Sequence, residues 1–194
     1  MIKIKVIDYK AGNAPSVIHA VERLGLTGEY ARCGDDLKDA THIILPGVGS
    51  AGATMNSLRQ MGLIAPLETA VLENKIPFLG ICVGMQILFE HSEEEDTRCL
   101  GWLKGRVVKF DKSRVRVPQM GWNKVEQLSD FFYFVNSYYA VPQDTDVIWG
   151  TARYDVEFAA AVKSGNIYAT QFHAEKSGEA GLLLLKNFFE EVIC

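Results

Sequence analysis

The first half of the chain alternates short apolar runs with segments of helical periodicity. Val17, Val21 and Leu24 recur at helical spacing behind Pro15, and Gly25 stands where such a helix would end. Strands are predicted at residues 2–8, 29–32, 42–45 and 76–81, and further helices at residues 53–61 and 63–74. Strands that alternate with helices in this way are typical of βαβ units and a parallel sheet.

The second half has shorter apolar runs and more frequent turn residues. Runs at residues 105–110, 115–117, 122–127, 132–137, 147–151, 158–163 and 167–171 predict a smaller, largely antiparallel β layer. A final helix is predicted from about residue 178 to 191, burying Leu182, Leu185 and Phe189, with Leu184 and Phe188 beside them. The predicted fold is therefore α/β, a mainly parallel open sheet flanked by helices with an added antiparallel layer.

Composition limits the kinds of protein that this chain can be. The 194 residues include 20 Lys+Arg against 24 Asp+Glu, and 48% are hydrophobic, so we expect a single domain over residues 1–194. The chain has no run of basic residues, which argues against a nucleic-acid or membrane-surface partner. The first residues lack an apolar signal segment, and no run of about 18 apolar residues occurs, so a cytoplasmic location is expected.

The cysteines show no metal-binding or disulfide pattern. Cys33, Cys82, Cys99 and Cys194 form no Cys-x-x-Cys pair, and no histidine lies at metal-ligand spacing from them. We therefore expect reduced thiols, no metal and no cofactor. The acidic run at residues 93–96 is interpreted as a solvated loop.

Cys82 stands at the centre of a Gly-Ile-Cys-Val-Gly segment that directly follows an apolar run. Gly80 and Gly84 leave room for a sharp strand-to-helix turn, as in the Gly-x-Ser-x-Gly elbows of hydrolases. Such a turn places the sulfur at the start of a helix, where unpaired N–H groups favour the thiolate. The pattern predicts a nucleophile, although a small buried cysteine would also fit it.

His173 and Glu175 follow another predicted strand far downstream. A cysteine nucleophile needs a base. His173 can take the thiol proton, and Glu175, on the same side of an extended segment, can orient the imidazole. The other histidines, His19, His42 and His91, are predicted in a helix, at a strand start and at a helix end, where structural roles fit better.

Donors for a developing oxyanion are predicted on two segments. The N–H of Val83, next to the nucleophile, is one of them. The loop around Val48 and Gly49, at the end of a neighbouring strand, offers the second. Glycines on both sides of Val48 would let its peptide rotate, although a plain tight turn is the alternative interpretation.

Three segments together resemble the class I, triad-type glutamine amidotransferases. They are GICVGMQ around Cys82, PGVGS around Val48 and QFHAEKS around His173. Residues 8–13, 118–123 and 134–139 narrow the similarity to the glutaminase subunits of imidazole glycerol phosphate synthases, in the right order along the chain. Met85 supports this, because the anthranilate-type relatives usually carry histidine at that position. The resemblance implies a class I glutamine amidotransferase-like sheet.

The resemblance also implies an activity and a site. Cys82, His173 and Glu175 would form a triad that hydrolyses glutamine through a γ-glutamyl thioester and releases ammonia. The implied glutamine-binding residues are Gly49, Gln86, Ser137 and Tyr138, and the implied partner interface and ammonia entry are Asn13, Met120, Trp122, Asn123 and Tyr133. Without the resemblance, Trp122 and Tyr133 would be predicted as core aromatics.

The implied partner is a separate (β/α)8-barrel cyclase that forms a heterodimer with this chain and accepts the ammonia. Physical reasoning agrees with a partner. In neutral water, free ammonia is mostly ammonium, which has no lone pair and cannot act as a nucleophile. Ammonia is therefore useful only if it is released beside an acceptor site. The chain has no phosphate-binding glycine loop or basic cluster for such an acceptor. The partner's ligand would switch the glutaminase on, and a rotation of the peptide around Val48 is the hypothesis for that switch.

The chain departs from the family at two notable positions. Ala174 stands where the family's triad motif usually has proline, which removes a backbone restraint but leaves both reacting groups, so activity is expected to survive. Gln119 stands where the family has histidine, which affects partner contacts more than chemistry.

Three alternative functions remain open at this point. A paralogous subunit would feed ammonia to a sugar amidotransferase, and a free-standing cysteine hydrolase of γ-glutamyl compounds would need no partner. A non-enzymatic binding or regulatory protein on the same scaffold is disfavoured, because Cys82, His173 and Glu175 are all retained.

Overall fold

The computed structural model describes residues 2–10 and 12–190. The helices are α1 (Ala14–Arg23), α2 (Ala51–Gln60), α3 (Ile64–Glu68), α4 (Val83–Gln86) and α5 (Gly178–Glu190). The strands are β1 (Ile4–Ile7), β2 (Gly28–Ala31), β3 (His42–Gly47), β4 (Phe78–Cys82), β5 (His91–Ser92), β6 (Thr97–Arg98), β7 (Gly105–Lys109), β8 (Gln119–Val125), β9 (Asp130–Asn136), β10 (Tyr138–Pro142), β11 (Ile148–Tyr154), β12 (Val156–Ser164) and β13 (Ile167–Thr170). The predicted last helical residue, Glu191, and Cys194 lie outside the described residues.

The main sheet has a parallel half and an antiparallel half. The strand order is β2-β1-β3-β4-β13-β12-β10-β7-β5-β6, with β11 paired to β12. The strands from β2 to β13 run parallel, and β12, β10 and β7 continue the sheet with antiparallel pairs. Gly47 pairs with Cys82, and Thr170 pairs with Ile81. The carboxyl ends of β3, β4 and β13 therefore meet at one edge.

The parallel half is the centre of the core. Every residue of β1, β3, β4 and β13 is buried, as expected for parallel strands covered on both faces. Helix α5 buries Leu184, Leu185, Phe188 and Phe189, whereas Leu182, predicted on its buried face, is only half-buried. Within residues 2–10 and 12–190, no helix is both long enough and apolar enough to cross a membrane.

The predicted α/β fold with a mainly parallel sheet is confirmed, and the antiparallel strands divide into two groups. Strands β7, β10, β11 and β12 extend the main sheet, while β8 and β9 form a separate two-stranded sheet. We call β8 and β9 with their connecting turn the hairpin. Residues 115–117, which the structure describes, form no strand, and His91 lies in β5 rather than at a helix end.

Candidate active site

Cys82 occupies a strained turn between β4 and α4. Its φ of 56° and ψ of −108° lie outside the regions that side-chain-bearing residues prefer. A Cβ on Gly84 would come within 2.0 Å of the Leu45 carbonyl oxygen, and one on Gly80 within 2.6 Å of the Gly84 carbonyl oxygen. Both glycines are therefore required by close backbone approach, which gives the predicted elbow its physical basis.

The structure brings Cys82, His173 and Glu175 together. His173 Nδ1 lies 2.8 Å from Glu175 Oε1, and the His173 ring is close enough to Cys82 for the sulfur to influence its pKa. Burial alone would lower the pKa of His173, but the hydrogen bonds and charges of Cys82 and Glu175 raise it to about 10. At neutral pH the imidazole therefore holds a proton between a sulfur and a carboxylate.

The segment that carries His173 and Glu175 differs from the predicted extended one. Strand β13 ends at Thr170, and Ala174–Lys176 form a 3-10 turn. His173 keeps an extended backbone, with φ −86° and ψ 95°. The turn, rather than strand periodicity, directs the carboxylate back onto the imidazole. Ala174 in place of proline is compatible with this contact.

Asn13 lies at this cluster rather than on an exposed surface. Its Nδ2 donates a hydrogen bond to Glu175 Oε1, the oxygen that also contacts His173. Among the described residues, Asn13 Oδ1 and Glu175 Oε2 are buried and have no hydrogen-bond partner. Asn13, which the resemblance implied as an interface residue, therefore also holds the carboxylate in position.

A cavity of about 290 Å³ opens above Cys82. Its walls contain all the predicted oxyanion and glutamine-binding residues: Val48, Gly49, Val83, Gln86, Ser137 and Tyr138. Gln86 is buried, and its Nε2 donates to the carbonyl of Tyr138 at 3.2 Å. The predicted binding residues, which are scattered along the sequence, thus surround one space.

Two charged residues that the sequence interpretation missed also line this cavity, Glu94 and Lys176. Glu94 belongs to the acidic run that was interpreted as a solvated loop. That interpretation is wrong for Glu94, because its Oε2 accepts from the N–H of Ala51 at 2.8 Å and burial raises its pKa. Glu94 thereby caps the start of α2, a contact across 43 positions that no local sequence pattern indicates.

One of the predicted oxyanion donors, the N–H of Val48, has a partner within the fold. The backbone amide of Val48 interacts with the buried hydroxyl of Tyr9, whose pKa is raised by burial. Gly49 has a φ of +97°, a conformation that favours glycine. Helix α4 spans only Val83–Gln86, so its dipole contributes little at Cys82.

The hairpin presents exposed apolar side chains beside the site. Met120 is 66% exposed and Trp122 is 57% exposed, so Trp122 is not a core aromatic. Tyr133 is half-buried, and its ring contacts that of Trp122. The side chain of Asn123 donates to the carbonyl of Arg153 and fixes the hairpin to β11.

The hairpin is also bonded to the segment that carries His173. The N–H of His173 donates to the Tyr133 carbonyl at 2.9 Å, and the N–H of Tyr133 donates to Ser177 Oγ at 3.0 Å. Ser177 Oγ in turn donates to the His173 carbonyl. Two hydrogen bonds therefore join the hairpin backbone to the segment that carries the imidazole.

The remaining described cysteines have different surroundings. Cys99 is buried, and burial raises its pKa to about 11, so it stays a thiol. Cys33 is exposed. Across residues 2–10 and 12–190, no cluster of His, Cys, Asp and Glu could hold a metal ion.

Comparisons with known proteins find similarity over nearly the whole chain. The sequence model of the family described as "Glutamine amidotransferase class-I" matches residues 5–192. The "Imidazole glycerol phosphate synthase subunit HisH" of Dehalococcoides mccartyi is 42% identical, covering 96% of both chains. The protein of that name from Geobacillus kaustophilus is 44% identical, covering 95% of both chains.

Solved structures share the fold. One described as a glutamine amidotransferase has a TM-score of 0.79 at 21% identity, covering 98% of this chain and 99% of that chain. The PurLQS structure from Thermotoga maritima has a TM-score of 0.75 at 23% identity, covering 98% of this chain and 99% of that chain. With a family match over nearly its whole length, this chain belongs to the class I glutamine amidotransferase family.

Proposed function

We propose that this protein is the glutaminase subunit of an imidazole glycerol phosphate synthase, and that it supplies ammonia for histidine biosynthesis. The observation that carries the proposal is the buried contact of Cys82, His173 and Glu175 beneath the cavity. The relatives named above, at 42% and 44% identity, support the assignment to this synthase.

The chemistry follows from the contacts of His173. The thiolate of Cys82 attacks the side-chain amide carbon of glutamine and forms a tetrahedral oxyanion. His173 holds the thiol proton and gives it to the leaving nitrogen, so ammonia departs and a γ-glutamyl thioester remains. Water, deprotonated by His173, then hydrolyses the thioester to glutamate and regenerates Cys82. Glu175 keeps the imidazole oriented throughout.

The charges at the cavity wall match the amino-acid end of glutamine. The carboxylate of Glu94 can pair with the α-ammonium group, and Lys176 can pair with the α-carboxylate. Ser137 and Tyr138 line the same wall. This arrangement leaves the side-chain amide of glutamine directed at Cys82.

The proposed partner is a (β/α)8-barrel cyclase that covers the hairpin and accepts the ammonia in a heterodimer. The exposed side chains of Met120 and Trp122 provide an apolar surface of the kind that interfaces use. Hydrogen bonds from Tyr133 to the segment of His173 offer a route by which docking would influence turnover. A rotation of the Val48 peptide, away from Tyr9 and toward Cys82, is the proposed switch.

The test is glutamine hydrolysis by the purified chain, with and without purified cyclase and its nucleotide ligand. We expect turnover to depend on both, and Cys82→Ala to lower glutamate release by about a thousandfold or more. Cys99→Ala is the matched control, because that thiol is also buried but lies outside the cavity.

Other outcomes identify the alternatives. Full turnover by the isolated chain would contradict the switch and favour a free-standing γ-glutamyl hydrolase. Binding to a sugar amidotransferase in place of the cyclase, measured in parallel pull-downs, would assign the chain to the paralogous subunits. Turnover that survives in Cys82→Ala would end the proposed mechanism.

A further inference from the structure

Gln171 is a fully buried polar side chain that the triad mechanism does not use. It follows β13 directly, and its backbone N–H donates to the Ala160 carbonyl at 2.8 Å. Its side-chain Nε2 lies 3.7 Å from Cys82 Sγ, within hydrogen-bond distance for sulfur. Its Oε1 accepts from Gln86 Nε2 at 3.0 Å.

We propose that Gln171 is a further catalytic residue, which donates an N–H hydrogen bond to the thiolate of Cys82. Gln86 acts as a positioning residue that holds the Gln171 amide in this orientation. The inference rests on the proposed nucleophilic role of Cys82.

The orientation of the two amides follows from their partners. The carbonyl of Tyr138 can only accept, so the Gln86 group that faces it must be the NH₂ group. That same NH₂ group donates to Gln171, so the Gln171 atom that it meets must be Oε1. The remaining group of Gln171, its NH₂, is therefore the one directed at Cys82.

The sulfur has an unfavourable neighbour that this donor offsets. The Val135 carbonyl lies 3.9 Å from Cys82 Sγ, where it can accept from a thiol but repels a thiolate. An N–H donor on the sulfur favours the charged form, as the imidazolium of His173 does. This hydrogen bond stabilises the sulfur in the two stages in which the sulfur is negative: attack on glutamine and departure from the thioester.

The test measures the thiolate directly. The rate of Cys82 alkylation by iodoacetamide is followed against pH, with the Cys82 peptide quantified by mass spectrometry. Gln171→Met removes the donor without adding charge, and we expect the pH midpoint of alkylation to rise by about one unit. In the complex with cyclase, we expect kcat for glutamine to fall about tenfold with a smaller change in KM.

A second variant covers the possibility that Gln171→Met folds poorly. Gln171→Glu keeps an oxygen for Gln86 Nε2 but replaces the NH₂ group that faces the sulfur, and we expect a midpoint at least as high as in Gln171→Met. The packing control is the adjacent Thr170→Val, which removes a buried hydroxyl that bonds the Phe172 carbonyl. It should lower thermal stability and leave the midpoint unchanged.

An unchanged midpoint in both Gln171 variants would overturn the inference, even if turnover fell, because a purely structural role lowers activity without altering the thiolate. This outcome is distinct from failure of the proposed function, which would show as turnover in Cys82→Ala.

Discussion

The carboxyl edge of the parallel strands and the hairpin differ in how far their side chains are buried and bonded by the rest of the chain. At the edge, Cys82 and His173 are buried and find their hydrogen-bond partners within the fold. On the hairpin, Met120 and Trp122 expose apolar surface to solvent. The groups of the proposed triad are therefore assembled within the chain, whereas the neighbouring surface has the character of half an interface.

The two regions are nevertheless in direct contact. The Tyr133 carbonyl in the hairpin accepts from the N–H of His173, and the Val135 carbonyl lies beside Cys82 Sγ. A partner that covers the hairpin would therefore cover an element whose backbone contacts the His173 backbone and the Cys82 sulfur. A chain with complete chemistry and an incomplete surface is suited to work as one subunit of a pair.

The largest effect is expected at the elbow itself. Gly84→Ala would force a Cβ within 2.0 Å of the Leu45 carbonyl oxygen, so we expect a loss of about 3 kcal/mol or more in the free energy of unfolding. Urea denaturation measures this loss. Gly25→Ala is the control: a Cβ there meets no described atom within 4 Å, and the φ of +76° alone should cost about 1 kcal/mol. Equal losses would mean that the elbow is not tightly packed.

The second effect concerns the hairpin surface. Trp122→Ala should weaken cyclase binding by about 2 kcal/mol, or about thirtyfold in Kd, if this side chain anchors the interface. The free energy of unfolding should change by less than about 0.5 kcal/mol, because the ring is 57% exposed. Titration calorimetry gives the first quantity. Tyr30→Ala, on the edge strand β2 of the main sheet, is the control, and equal weakening by both variants would contradict the assignment.

A smaller effect is expected in the pH dependence of the free energy of unfolding, which depends on a histidine outside the site. His42, at the start of β3, is buried against Phe188 and Phe189, and burial lowers its pKa from 6.5. A histidine that stays neutral in the fold but is protonated when unfolded destabilises the fold as pH drops below 6.5.

The raised pKa of His173 adds no slope in this range, because His173 is protonated in both states below 6.5. Unfolding free energy should therefore fall by up to about 1.4 kcal/mol per pH unit, and His42→Phe should remove that slope. If the slope persisted in His42→Phe, its cause would be another titrating group.

The smallest effect is expected at the departure from the family's triad motif. Ala174→Pro should raise the free energy of unfolding by about 0.5 kcal/mol, since it restricts the unfolded chain at the first position of a 3-10 turn. The preceding residue, His173, already has the extended backbone that proline requires. Thermal unfolding measures the change, and a loss of stability would show that the alanine is needed for the turn.

Much of the parallel half was predictable because its central strands β3, β4 and β13 are short, mostly apolar runs between turn residues. The antiparallel half was less predictable from the sequence. Strand β10 was missed because Tyr138–Pro142 mixes half-buried and exposed positions, and its pairing with β7 and β12 depends on distant segments. The run at residues 115–117, Val-Arg-Val, has the alternation of a strand, but it pairs with no strand in the described chain.

The candidate site likewise contains residues that the sequence indicated and residues that it did not. Cys82, with its flanking glycines, and the pair His173 and Glu175 were recognisable from spacing alone. Glu94 was not, because an acidic run next to a loop gives no indication that one of its carboxylates turns inward. Asn13 contacts Glu175 across 162 positions, which no local pattern encodes.

The sequence by itself therefore determined the alternation of strands and helices, the elbow and the residue types of the triad, since these depend on local sterics and periodic burial. Only the tertiary structure decided that Gln171 faces the sulfur, that Glu94 and Lys176 line the cavity, and that the hairpin bonds to the segment of His173. Contacts of this kind depend on the packing of the whole chain, where the burial of many distant groups selects one arrangement.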